Sequence, residues 1–329
     1  MSRVLVLHDL VAGEVRADEA DVLVQRDVVL AALRELGHEA EALACGLDLA
    51  SAERELRRRR PELVFNLVES MARTGRLIHF APCLLDALAI PYVGAPADAI
   101  YVTSNKHLAK RLLIAAGLPT PPSWLLPDLE RAGASASGRV IVKSLWEHGS
   151  VGLDASSVID VRDAHELAAA MRARLDRLGG EAIAESYVDG REFNLALLGG
   201  PNGPTVLPPA EIEFVAWDES APRIVDWRAK WDESSHEYQD TPRRFDFDAV
   251  DAPLVARLVA IARAAWDCFG LRGWARVDFR VDRERGPFVL EVNTNPCLSP
   301  DAGFAAALQR AGIPFAQAIA RILDDLPPR

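Results

Sequence analysis

The string GWARVDFRVDRERGPFVLEVNTNP (residues 273–296) holds two runs of alternating character around a short charged turn at residues 282–286. Alternation of period two marks strands, and a turn this short folds the second strand back on the first. Glu291 and Asn293 are two residues apart and share a face. Antiparallel pairing sets Asp278 beside them, while Val277, Phe279, Leu290 and Val292 are expected to bury the opposite face. Two carboxylates and an amide oxygen suit Mg²⁺, a hard ion that takes oxygen ligands and keeps positions for water and phosphate, with Mn²⁺ as an alternative. Arg276, two residues before Asp278, falls on the same face. An acidic pair on a solvated sheet face is the plainer reading of these residues, and the rest of the chain has to arbitrate.

Outward from this hairpin, the N-terminal third alternates strand and helix. Residues 4–7, 63–68 and 91–93 read as short apolar strands, and residues 21–36 and 77–88 have helical spacing. That rhythm implies a parallel sheet with helices on its faces. GLPTPPSWLLP (residues 117–127) is too proline-rich for continuous helix and lies near a lobe boundary. Beyond it, strands are predicted at 139–144, 182–188 and 192–198, with helices at 163–178, 253–269 and 314–326. The divisions expected are 1–103, 104–190 and 191–329.

Composition narrows the partners. The chain has 329 residues, half of them apolar, enough for more than one lobe. A net charge of −11 argues against nucleic acid or an anionic membrane as the main partner. No uncharged stretch is long enough to span a bilayer, and the N-terminus lacks the pattern of a signal peptide. The four cysteines, Cys45, Cys83, Cys268 and Cys297, are far apart, as for reduced thiols in the cytoplasm. The seven histidines show no metal-ligand spacing. Four consecutive arginines, residues 57–60, read better as the solvated end of a helix than as a phosphate patch.

The string RVDF…LEVNTNP resembles the metal-binding strand pair of the ATP-grasp ligases, and of the D-alanine–D-alanine ligase family in particular. Other segments resemble that family in the same order: FNLVE (65–69), IPYVGA (90–95), SNKHLAKRLLIAAGLPTP (104–121), VIVKS with HGSVGL (140–153), and AESYVDGREFNLALLG (184–199). The resemblance implies an α/β ATP-grasp fold of three lobes, a βαβ N-terminal lobe, a central lobe and a strand-rich C-terminal lobe, with ATP between the last two. It implies phosphate contacts from Lys106 and Lys143, a phosphate lid built on Gly149 and Ser150, adenine held at Glu185, Tyr187 and Val188, and ribose held at Glu192. Glycines there let backbone N–H groups turn toward phosphate. Lys230, in DWRAKW, resembles a mobile-loop lysine that reaches the terminal phosphate, and Arg276 resembles the arginine that stabilises an oxyanion; a structural ion pair is its other reading.

The implied reaction joins a small-molecule carboxylate to an amine through an acyl phosphate, with ATP and Mg²⁺. An ATP-grasp phosphotransferase, a ligase with a non-amine nucleophile and a nucleotide-binding protein without turnover are the alternatives. A homodimer is compatible with this reading. The substrate segments depart from the family. VAGEVRADEADV (11–22) lacks the double glycine and leaves Asp18 as the acidic candidate, and VESMARTGRL (68–77) lacks a glycine–glutamate–aspartate core. In NPCLSPDAGF (295–304), Cys297 replaces a glycine, leaving Ser299 and Asp301 as substrate candidates. Asp301 is expected either to face the amine, disfavouring a carboxylate on it, or to cap the next helix.

Overall fold

The computed structural model describes residues 1–11, 17–218, 221–232 and 234–326, the side chains of residues 17–19 excepted. Three sheets carry the architecture. The first is parallel: β1 (Arg3–Asp9), β2 (Glu39–Cys45), β3 (Leu63–Asn66) and β4 (Tyr92–Val93), in the order β2-β1-β3-β4. Helices cover both its faces, so β1 and β3 are buried along nearly their whole length. The sequence reading missed β2, because EAEALAC is built from residues with weak strand preference; the edge position tolerates its outward Glu39 and Glu41.

The second sheet is antiparallel and contains β5 (Ser123–Trp124), β6 (Gly138–Ser144), β7 (Val158–Val161) and β8 (Ala182–Ser186), ordered β5-β8-β6-β7. The third is also antiparallel. Its strands are β9 (Arg191–Leu198), β10 (Thr205–Val206), β11 (Ala210–Ile212), β12 (Arg243–Arg244), β13 (Trp274–Asp282) and β14 (Gly286–Asn293). Their order is β12-β11-β9-β13-β14, with β10 on the flank of β9.

Two predicted helices are shorter than expected. The 77–88 segment is a 3₁₀ turn followed by the helix Phe80–Ala87, and the 163–178 segment is the helix Ala164–Arg172 followed by a 3₁₀ turn that stops at Gly179 in the left-handed region (φ 78°). The helix Ala17–Glu35 stops at Gly37 (φ 83°), where the His38 N–H bonds back to the Leu33 carbonyl. The arginine run does end a helix, Leu49–Arg59; Arg57, Arg58 and Arg59 pair with Glu53, Glu55 and Glu41.

The third sheet organises the cores on either side of it. One joins it to the first sheet, with Phe65 stacked on Trp274 at 5.2 Å between ring centres and Ile319 and Phe304 from C-terminal helices packed alongside. The other packs the helices Ala97–Ser104, Lys106–Ala115 and Ala252–Cys268 on its far side. The second sheet has its own core around Val140, Val142 and Leu167. A cleft remains between the second and third sheets, lined from both.

Candidate active site

The hairpin forms as its alternation requires. β13 and β14 pair antiparallel, with Asp278 opposite Glu291 and Arg276 opposite Asn293. The register shifts after Asp278, because Phe279 pairs with Val289 and leaves Leu290 as the extra residue of a bulge. That corrects one expectation. Val277, Phe279 and Val292 are buried on the far face as predicted, but Leu290 is turned into the cleft and Val289 takes the buried place.

Most of the residues singled out from sequence converge on one cleft that opens to solvent. Lys106, Lys143, Ser150, Glu185, Tyr187, Val188, Glu192, Lys230, Asp278 and Glu291 all line it. Lys143 closes β6 and Glu185 lies on β8; their side chains meet at 2.8 Å. Glu185 is 1% exposed, so its carboxylate is committed to ion pairing. Lys106 begins a helix capped by Asn105 and donates to the Glu147 carbonyl at 2.6 Å. Burial lowers its pKa, and Glu291 acts against that shift. Glu192 pairs with Arg280 at 2.7 Å, and the Tyr187 hydroxyl donates to the Arg223 carbonyl.

The lid has the backbone its glycines require. Gly149, Ser150 and Gly152 all have positive φ (68°, 62° and 72°). A Cβ at Gly152 would also lie 2.7 Å from the Arg177 carbonyl, so no other residue fits there without a shift. Ser150 accepts the strained region and donates to the Val225 carbonyl at 2.7 Å. The indole of Trp231 donates to the Gly149 carbonyl at 3.3 Å, tying the lid to the helix Trp227–Trp231 that carries Lys230.

Around the hairpin the charges are closely matched. Arg276 grips Asp278 in a two-pronged bond, 2.7 and 2.8 Å, and Asn194 donates to the same carboxylate. Burial works against the Arg276 charge, but Asp278 outweighs it and raises the guanidinium pKa further. Glu291 accepts from His148 at 2.8 Å. Desolvation works against its charge, yet its carboxyl is held well below the ordinary range by Lys106, His148 and Lys230. Lys230 is pushed down by burial and then by Arg276. Among the described residues no three His, Cys, Asp or Glu side chains converge as a metal cage. The oxygen donors that could hold a divalent ion are the facing Asp278 and Glu291 carboxylates with the Asn293 amide, two residues along the same strand. Asn293 Oδ1 accepts from the Asn295 N–H at 3.0 Å and keeps a second lone pair.

At the other end the substrate candidates divide. The Asp18 side chain lies outside the described residues. Ser299 is fully buried and donates to Asp21, which also takes the Cys297 thiol at 2.9 Å. Gln25 bridges Asp21 and Glu69. Burial, with Asp9 next, pushes Glu69 up to about 8. The alternative role for Asp301 is corrected: Ala302 occupies the cap position of the helix Gly303–Arg310 and makes no side-chain cap bond, and the Asp301 side chain is exposed. The Asp301 carbonyl instead accepts from Arg243 at 3.1 Å.

The sequence reading missed several residues here. Arg280 was legible, since Arg276, Asp278 and Arg280 share one strand face. So was Lys110, one turn after Lys106. His148 sat inside the lid motif without being assigned. Nothing in sequence marks Arg243, which a two-residue strand delivers from a long irregular segment.

The three sheets, the glycine lid and the cleft lined by lysines and a carboxylate hairpin define an ATP-grasp architecture, and the fold matches a D-alanine–D-alanine ligase from Bacillus anthracis solved in complex with ATP (TM-score 0.69, 17% identity, 99% of this chain and 96% of that one). The family model described as the D-ala D-ala ligase C-terminus matches residues 131–324. A D-alanine–D-alanine ligase from Methylococcus capsulatus is 31% identical over 90% of this chain and 88% of its own length. An uncharacterised protein of Sinorhizobium fredii is 32% identical over 91% and 86%. The chain belongs to the D-alanine–D-alanine ligase family, and with it to the ATP-grasp carbon–nitrogen ligases. Among the described residues no helix is long and apolar enough to cross a membrane.

Proposed function

We propose that this ligase activates a small carboxylate, an amino acid or short peptide, as an acyl phosphate and transfers the acyl group to an amine. A carboxylate oxygen attacks the terminal phosphorus of ATP, the bond to ADP breaks, and the amine then displaces phosphate from the acyl carbon while losing a proton. The observation that carries this reading is the convergence of Lys106, Lys143 and Lys230 with the Asp278–Glu291 pair and Arg276 about one cleft. Asp278, Glu291 and Asn293 would hold Mg²⁺, which neutralises charge on the phosphates. Lys143 and Lys106 take up phosphate charge as compact cations, and the lid N–H groups of Gly149 and Ser150 face it. Arg276 is the donor for negative charge building on the acyl oxygen. Glu192 and the Tyr187–Val188 backbone are assigned to ribose and adenine.

Arg243 bears on the amine. Its partner on β12, Arg244, is paired with Glu211 and Glu213, whereas Arg243 has no carboxylate within ion-pair distance among the described residues. Arg276, Asp301 and Cys297 all act on it electrostatically, which supports a position at the substrate end. A carboxylate-bearing amine would be matched by this cation, so we favour an amino acid over a simple amine, against the expectation drawn from Asp301. The four free thiols fit a reducing, cytoplasmic setting.

Hydroxylamine tests the activation step. With ATP, Mg²⁺ and a panel of D- and L-amino acids, D-alanine first, the protein should release ADP and form a hydroxamate. A stable phosphorylated product would show phosphotransfer instead; no ADP with any carboxylate would overturn the reading.

A further inference from the structure

Lys110 sits one turn beyond Lys106 but does not line the cleft, and it is 2% exposed. Its ammonium lies 3.1 Å from Glu185 Oε2 and donates to Thr120 Oγ1 at 2.9 Å. Thr120 donates in turn to the Val289 carbonyl on β14, fixing this group against the third sheet. The other Glu185 oxygen, Oε1, faces Lys143 at 2.8 Å. One buried carboxylate therefore meets two ammonium groups, one behind it and one at the cleft.

The charges do not cancel. Two lysines and one glutamate leave one positive charge, and a buried surplus charge is costly unless an ion arrives to match it. Lys143 and Glu185 both line the cleft whereas Lys110 does not, and Lys143 is the most exposed of the three, its side chain 10% exposed against 2% and 1% for Lys110 and Glu185. The surplus is thus presented at the cleft. Burial disfavours charge on Glu185, yet its carboxyl is held below the ordinary range by Lys110 first and Lys143 second. Both lysines hold the carboxylate, Lys143 at the shorter distance and Lys110 from the side that cannot leave.

We propose that Lys110 is a positioning residue for nucleotide: by occupying Glu185 from behind, it keeps the charge of Lys143 available to phosphate. Without Lys110, Glu185 and Lys143 form a neutral pair and the lysine is drawn away from the cleft. Lys106 adds its own charge at the cleft, but its ammonium is held by the Glu147 carbonyl and faces Glu291, so it does not take the place of Lys143. This inference rests on the cleft binding ATP.

The test compares ATP with adenosine by titration calorimetry, so that phosphate recognition is separated from base recognition. Lys110→Met should lower the ratio of ATP to adenosine affinity on the order of tenfold, the size of a lost charge-assisted contact. Lys110→Arg should keep most of the ratio. The charge-balanced double variant Lys110→Met/Glu185→Gln should recover it to within about threefold. That variant also keeps the test valid if Lys110→Met alone melts early, since removing both members leaves no orphaned charge. A general packing defect would weaken ATP and adenosine together and would not be rescued. An unchanged ratio in Lys110→Met, or a double variant no better than the single, overturns the assignment. Wild-type protein that binds adenosine and ATP equally, or neither, overturns the nucleotide reading of the cleft itself.

Discussion

The two ends of the cleft are built differently. At the nucleotide end most of the charged groups come from neighbouring strands, and three pairs meet at hydrogen-bond distance: Lys143 with Glu185, Arg280 with Glu192, Arg276 with Asp278. At the substrate end Asp21, Glu69, Cys297 and Arg243 arrive from four distant segments; a carboxyl there is pushed up in pKa, and among the described residues the guanidinium has no carboxylate within ion-pair distance. A site whose side chains already hold one another, with a surplus cation left for phosphate, is organised before its ligand comes. A site with unmatched charge of both signs is completed by a ligand that carries both, as a zwitterionic amino acid does.

The comparison is sharpened most by breaking the matched end. Asp278→Asn keeps the shape and a hydrogen bond to Arg276 but removes the charge that would hold a metal ion. ADP release should fall about 10³-fold or more, the several kcal/mol expected of metal-assisted charge stabilisation. Retention of a tenth of wild-type turnover would show that this hairpin does not hold the metal. Arg276→Ala comes next. We expect ATP affinity within a few-fold of wild type and a loss of about 2.7–4 kcal/mol in turnover, the range for one oxyanion donor. If ATP binding collapses instead, Arg276 belongs to the nucleotide.

A smaller effect is expected in the lid. Gly152→Ala meets the Arg177 carbonyl and a positive φ together. The strain, about 1–3 kcal/mol, should appear as a raised KM for ATP and faster proteolysis of the lid, with the melting of the whole chain little changed. Unaltered KM would mean that the lid does not hold this conformation when ATP binds.

The same contrast explains what could be read from the sequence. Period-two alternation placed Asp278, Glu291, Asn293 and Arg276 on one face because β13 and β14 are long and neighbouring, so register follows from a single turn. The one error there, Leu290, came from a bulge, which adds a residue without a signal in the pattern. Lys230 was found through two letters before an aromatic residue, and it does lie at the cleft. Arg243 and the Asp21–Ser299 bond were not legible. They depend on how the N-terminal helix and the segment after β14 meet in space, and no local propensity encodes that contact.

The least disruptive test probes the substrate end through pH. Glu69 has an ordinary pKa of 4.5, and burial, with Asp9 and then Asp21 nearby, raises it to about 8 in the folded chain. Unfolded protein therefore ionises this group above about 4.5, while folded protein keeps the proton until near 8. The native state binds more protons across that window, so the contribution of Glu69 to stability is fully present below 4.5 and is lost as pH rises through 8. Glu69→Gln fixes the side chain in a neutral form that can still take part in the hydrogen bond with Gln25. It should melt like wild type at pH 5 and gain on it progressively up to pH 8, by a Tm difference on the order of a few degrees. Above pH 8 the difference should stay constant. A ligand bringing an ammonium group should erase the advantage, since it rewards the ionised carboxylate that only wild type can form. A Tm difference independent of pH would show that Glu69 is ionised throughout, and that its neighbours are already balanced without a ligand.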